Sequence, residues 1–326
     1  MKVLVTGASG FLGRATAARI AREGHEVTTL QRRPSEVPGV SDIAGSVTDR
    51  DLVRGVVDGQ DAIVHLAAKV SLAGDPAEFA RVNVEGTRTL LDAARDAGVP
   101  RFVHVSSPSV AHVGSALVGA DAGTADPRRA RGEYARTKAT AELLALGYDS
   151  PTMAVVAIRP HLVWGPGDTQ LVARIVDRAR RRRLPLLDHG AALIDSTYVD
   201  NAADAMLAAI VRAPVAHGRA LVVTNGEPRP VAELLAGMCR AAGVPAPSWR
   251  VPGGLARGAG GVVERLWAWR PGQDEPPMTR FLAEQLSTAH WFDQRATHEA
   301  LAWQPHVSID DGMAQLARFY RHASDA

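Results

Sequence analysis

Apolar residues in the first half of the chain come in short unbroken runs. Between them lie longer stretches in which apolar positions recur every three or four residues. The runs Lys2–Thr6, Glu26–Leu30, Ala62–Leu66, Arg101–Ser106 and Met153–Arg159 read as strands. The periodic stretches predict helices at about 11–23, 49–58, 77–97 and 131–146. A strand with one wet face alternates polar and apolar residues. These runs do not alternate, so both of their faces should be covered. Strands that alternate with helices through right-handed crossovers predict an α/β fold, a doubly wound parallel sheet.

After about residue 160 the pattern changes. Prolines and glycines become frequent (Pro160, Gly165, Pro166, Pro185, Pro228 and Pro230 among them), strands scatter, and helices are expected at 170–182, 200–212 and 231–242. This predicts two parts. Residues 1–165 form the sheet domain, with a return segment at about 195–225. Residues 166–326 form mainly a smaller C-terminal substrate-binding lobe.

Composition narrows the classes. The 326 residues are 46% hydrophobic and 22% charged, enough for a substantial core. The net charge is +2 and no basic tract is interleaved with aromatics, so no nucleic-acid partner is expected. The run Arg178, Arg180, Arg181, Arg182 and Arg183 reads as a solvated helix end, with an anion- or membrane-facing patch as the alternative. Cys239 is the only cysteine and reads as core filler. There is no charged leader followed by an apolar stretch and no apolar run of ~18 residues, so a soluble, cytoplasmic chain is expected.

Thr6-Gly7-Ala8-Ser9-Gly10-Phe11-Leu12-Gly13 follows the first strand and opens a helix. Gly7 permits a tight turn, Gly10 a close approach of backbone to a pyrophosphate, and Gly13 close helix–strand packing. Ser9, Phe11 and Leu12 complete the loop, and the helix N-terminus offers amides to phosphates. This reads as the dinucleotide site of a Rossmann fold. The second strand runs into Gln31-Arg32-Arg33. With no acid there and two guanidiniums able to fork onto a 2′-phosphate, NADP is favoured and NAD is the alternative. Arg14 is a further candidate phosphate contact.

Ketone reduction needs a proton donor and something to steady the oxygen. Tyr134 and Lys138 are four residues apart and share a helix face, where an ammonium would bring the phenol's pKa of ~10 down towards working pH. Ser107, with Ser109 second, follows a central strand at the crevice where such sheets bind ligands. Trp249, 262–269 and Trp291 could line an apolar pocket or fill the lobe's core. His65, His104 and His161 lack ligand spacing, so no metal is expected.

Thr6–Gly13, Ala62–Ala68, Asn83–Thr87, Ser106–Ser109 and Tyr134–Lys138 resemble the extended short-chain dehydrogenase/reductase pattern in order and spacing. Arg159–Asp168 and Thr197–Asn201, with tail segments Pro276–Arg280, Trp291–Asp293 and Pro305–Ser308, are similar to the 3β-hydroxysteroid dehydrogenase branch. Within it the likeness is to bacterial 2-alkyl-3-oxoalkanoate reductases and sterol-4-carboxylate 3-dehydrogenases. The resemblance implies a Ser107, Tyr134, Lys138 triad with Asn83 ordering the active helix. It implies cofactor contacts at Leu66, Ala67, Ala68, Lys138, Pro160 and Leu162, with Trp164 and Tyr198 on the substrate side. Gly45-Ser46-Val47 departs from the family's Gly-Asp, so Ser46 and Val47 should meet the adenine differently. The expected reaction is hydride exchange between a nicotinamide and a hydroxyl/ketone carbon of a bulky apolar substrate, a 3β-hydroxysteroid or long-chain β-hydroxy/β-oxo acid, in a homodimer. The alternatives are a nucleotide-sugar epimerase or dehydratase and a non-catalytic NADP-binding regulatory protein.

Overall fold

The computed structural model describes residues 1–71, 74–111, 116–256, 258 and 286–325. The strands of the first half are β1 (Lys2–Thr6), β2 (Glu26–Gln31), β3 (Ser41–Ala44), β4 (Ala62–His65), β5 (Arg101–Val105), β6 (Leu117–Ala120) and β7 (Ala154–Pro160). All but β6 lie in one sheet, completed by the strand Ala220–Val223, in the order Ala220–Val223, β7, β5, β4, β1, β2, β3. Every pairing in it is parallel. The chain reverses its direction of winding between β1 and β4, which opens a crevice at the carboxyl ends of those strands.

The helices are α1 (Phe11–Arg22), α2 (Arg50–Val57), α3 (Pro76–Phe79), α4 (Gly86–Asp96), α5 (Gly132–Leu146), α6 (Val172–Arg180), α7 (Val199–Ala216) and α8 (Val231–Ala241). Alternate strand residues feed two cores. Val3, Val5, Val64 and Val103 pack with α1 and α7 on one face. Leu4, Ile63 and Phe102 pack with α2 and α4 on the other. The unbroken apolar runs of the sequence are thus explained by burial on both sides.

Two elements differ from expectation. β3 was not among the predicted strands: its four residues carry one aliphatic side chain larger than alanine, and as the sheet's edge it is mostly exposed. The single helix expected at 77–97 is α3, then a π-helical turn Ala80–Glu85, then α4. The wider turn places Asn83 in the interior, where its side chain is held by hydrogen bonds that no helical period encodes.

A second, four-stranded sheet runs Arg229–Pro230, Leu193–Ile194, His290–Phe292, β6. β6 therefore leaves the first half of the chain to join strands from the second. Trp164, Tyr198, α6, α8 and the helix Ile309–Asp325 form the core beneath it, with Cys239 fully buried. The helix Arg295–Leu301 returns to pack on α7 and Ala220–Val223. The arginine run ends α6, with Arg181 bonded to Asp177 at 2.9 Å and Arg180–Arg183 exposed. Among the described residues, no helix is long and apolar enough to cross a membrane.

Candidate active site

The glycine loop is shaped by close contacts. Gly7 has φ +79°, and a Cβ there would come within 2.8 Å of the Ala67 nitrogen. A Cβ on Gly13 would overlap the Gly7 carbonyl. α1 begins after Gly10 with no side-chain cap and no acid in its first turn. Its first amides and the positive end of its dipole are left for an anion. A cradle that tolerates no side chain beside an uncapped helix start fits a dinucleotide diphosphate.

At the adenosine end, Gln31 is buried and its Nε2 donates to Thr29 Oγ1 (3.0 Å) and Asp42 Oδ1 (2.9 Å). Asp42 is a carboxylate that the sequence reading missed, because β3 brings it opposite Thr29. Arg32 and Arg33 are exposed just beyond. Arg14 already pairs with Glu36 at 3.0 Å. Ser46 Oγ lies 2.8 Å from Thr48 Oγ1 and accepts from its backbone N–H, while Val47 packs under Gly86.

Tyr134, Thr137 and Lys138 stand on α5, and Lys138 reaches the carboxyl end of β5. Ser107 stands near the Tyr134 phenol, close enough for its hydroxyl to lower the phenol's pKa. Its Oγ also lies 2.9 Å from Ser109 Oγ and accepts from the Ser109 N–H. Burial pushes the phenol above its ordinary value, and the nearby Ser107 hydroxyl opposes that rise. Lys138 is turned to β5, donating to the Val105 carbonyl at 2.6 Å and lying 3.4 Å from His104 Nε2. Burial pushes its ammonium down to about 8. Asn83 Oδ1 accepts from the Lys69 N–H (2.7 Å), and its Nδ2 donates to Thr137 Oγ1 (3.0 Å), tying the π turn to the active helix.

The histidines are structural relays. Thr87 Oγ1 donates to the Asn83 carbonyl, so at 2.9 Å it accepts from His65 Nε2. His65 Nδ1 then accepts from Thr6 Oγ1 (2.7 Å), which itself accepts from the Ala67 N–H. Burial holds His65 neutral, with a pKa of about 3. His161 Nδ1 lies 2.7 Å from the Asp195 carbonyl oxygen, its ring edge-on to Phe292. Among the described residues no group of three metal-ligating side chains occurs.

Trp164 and Tyr198 do not face a pocket, contrary to expectation. Both are buried, edge-on at 5.4 Å, with Trp164 Nε1 bonded to Ser196 and the Tyr198 hydroxyl to Gln315. They are core residues because their polar ends find partners inside the lobe. Trp291 lies against Gly119, Trp249 is exposed, and 262–269 lies outside the described residues. Pro160 ends β7, and Leu162 just beyond it has φ +44°, a costly conformation for a branched residue. Sequence reasoning also missed Arg159, Glu142 and Asp195. Their signal is a charged residue inside an apolar run or helix face.

Residues 3–223 match the family described as the NAD dependent epimerase/dehydratase family. The chain is 40% identical to the 2-alkyl-3-oxoalkanoate reductase of Stenotrophomonas maltophilia over 97% of its length and 98% of the relative's. It is 30% identical to the 3-beta-hydroxysteroid dehydrogenase of Mycolicibacterium neoaurum, covering 99% and 92%. The crystal structure of gox2253 superposes with a TM-score of 0.77 at 26% identity, over 98% of each chain. UDP-glucose 4-epimerase from Brucella ovis in complex with NAD gives 0.76 at 21%, over 98% of each chain, a likeness of fold. The chain belongs to the NAD dependent epimerase/dehydratase family. It is an NAD(P)-dependent oxidoreductase of the type that interconverts a hydroxyl and a ketone.

Proposed function

We propose that the chain reduces the 3-oxo group of a long-chain β-oxo acid, or of a steroid of comparable bulk, and runs the reverse oxidation. The Tyr134 phenol with the Ser107 hydroxyl near it, together with the glycine cradle and the uncapped start of α1, is the observation that carries this reading. The relatives named above favour an apolar β-oxo or 3-hydroxysteroid skeleton. Gly7, Ser9, Gly10, Phe11, Leu12, Gly13 and Leu66–Ala68 would hold a nicotinamide dinucleotide, with Ser46 and Val47 at its adenine end and Pro160 and Leu162 at its nicotinamide end. When bound it supplies the hydride in reduction and accepts it in oxidation.

The chain's own residues handle the proton. Tyr134 gives its phenolic proton to the ketone oxygen, or takes the proton from the hydroxyl in reverse. The raised phenol keeps that proton available through neutral pH. Ser107 donates to the same oxygen and holds it against Tyr134. The Ser109 hydroxyl, 2.9 Å away, orients that of Ser107. Tyr134→Phe keeps the ring and removes the proton. It should lose about 100-fold or more in kcat on a panel of β-oxo acids and 3-oxosteroids, followed by loss of reduced nicotinamide absorbance. Turnover unchanged in that variant would overturn the assignment.

NADP is the proposed cofactor, on the strength of two exposed arginines at the end of β2. Arg32→Ala with Arg33→Ala should raise KM for NADPH by about 10- to 100-fold and leave KM for NADH nearly unchanged. Equal losses for both cofactors would remove the preference.

A further inference from the structure

Arg159 and Glu142 form a fully buried ion pair. Arg159 is the penultimate residue of β7, at the crevice end. Its Nε and Nη2 donate to the two Glu142 carboxylate oxygens at 2.8 and 2.5 Å. Its Nη1 donates to the carbonyls of Ala122 and Gly123, the latter at 3.2 Å. One guanidinium thus joins three pieces: the end of a central strand, the helix α5, and the loop between β6 and α5.

Each of those pieces bears on the reacting groups. Glu142 is one turn past Lys138 on the same face of α5, and two turns past Tyr134. The loop goes on to Ala125, buried against Val110 and Ala139, and to Asp126, whose N–H donates to the Val110 carbonyl. Val110 ends the short turn that carries Ser109 and follows Ser107. The pair therefore sits where the phenol-bearing helix and the serine-bearing turn are braced against one strand.

Stability alone does not explain this arrangement. Two charges taken out of water lose solvation that their attraction barely restores, and well-packed apolar residues of the same size often do as well or better. What an apolar contact cannot supply is direction. A guanidinium fork fixes its partners by angle as well as distance. An apolar seam would let α5 slide or turn.

We propose that Arg159 and Glu142 are positioning residues that set where the Tyr134 phenol stands against Ser107, so that their loss costs turnover rather than folding. The proposal rests on the roles given above to Tyr134 and Ser107. Glu142 has a second effect in the same direction. Its carboxylate opposes the fall that burial imposes on Lys138. The other groups facing Lys138 are His104 and His65, both held neutral by burial.

The test is the double variant Arg159→Met with Glu142→Leu, which removes both charges and keeps the volume. The phenol of Tyr134 is titrated by ultraviolet difference against Tyr134→Phe, in cofactor-free protein. The expected result is a Tm close to the parent's and a phenol titrating at higher pH, because the Ser107 hydroxyl no longer opposes the rise that burial imposes. In the same variant kcat should fall by about 100-fold while KM moves by less than about threefold. A phenol that titrates where the parent's does, or a kcat kept at unchanged Tm, overturns the proposal. Should the double variant not fold, Arg159→Lys, which keeps both charges and removes the fork, is read by the phenol titration and by kcat. A parent inert across the substrate panel would remove the functional reading instead, and the phenol titration would still decide the positioning.

Discussion

Lys138 carries its charge in a place that does little to solvate it. Two acceptors are in reach, the Val105 carbonyl and the more distant His104 Nε2, and burial drags its pKa to about 8. Below that pH the ammonium is present; above it the charge is lost. The pH profile of kcat/KM reports groups of the free enzyme, so ketone reduction should decline as pH rises through about 8. Tyr134 cannot be the source of that decline, since burial holds its phenol above the ordinary tyrosine range. Lys138→Met should be slower throughout and lack the falling limb. A limb that persists near 8 in the methionine variant would assign it to another group. The Tyr-x3-Lys spacing was legible in the sequence because it depends only on helical period. The direction in which Lys138 points was not, because it is set by a strand carbonyl 33 residues away.

Elements that answer to one periodicity were read correctly, and those shaped by a partner were not. The five apolar runs became strands because burial on both faces is written in every residue. β3 is held by its pairing with β2, and its sequence carries little pattern of its own. The π turn at Ala80–Glu85 depends on what Asn83 meets, namely Lys69 backbone and Thr137. The loop holding Asp195 is a third such case. Asp195 is fully buried, accepting from Thr224 Oγ1 at 2.6 Å and from the Glu227 N–H at 3.2 Å. Burial raises its carboxyl from 3.8 to about 6. The folded state therefore holds more protons than the unfolded state between those values, and this group's contribution to stability is lost as pH rises through about 6. Asp195→Asn removes that dependence. Its stability relative to the parent should climb by roughly 2 kcal/mol between pH 4 and pH 7. Denaturant unfolding at several pH values measures this, and a flat difference would show that Asp195 does not titrate in that window.

At the scale of the whole molecule the two halves of the chain are interleaved. β6 leaves the first half to pair with His290–Phe292, and α7, Ala220–Val223 and the helix Arg295–Leu301 return to the large sheet. β6 and the helix Arg295–Leu301 depend on short elements that pack rather than repeat, so no periodicity announces them. α5 has an outer side as well as an inner one. Its inner side is committed to the site through Lys138 and Glu142, while Leu143 is 43% exposed on the outside. The family resemblance implies a homodimer, and this surface is where that expectation is tested. A carboxylate at its centre would face its own copy across a twofold axis, where like charges in an apolar contact cost more than the contact returns. Leu143→Asp should therefore elute from size exclusion at half the parent's apparent mass, with folding intact by circular dichroism. A parent that already elutes as a monomer, or a variant that elutes with an unchanged dimer, would place the contact elsewhere and leave α5 to hold its position through Arg159 and Asn83 alone.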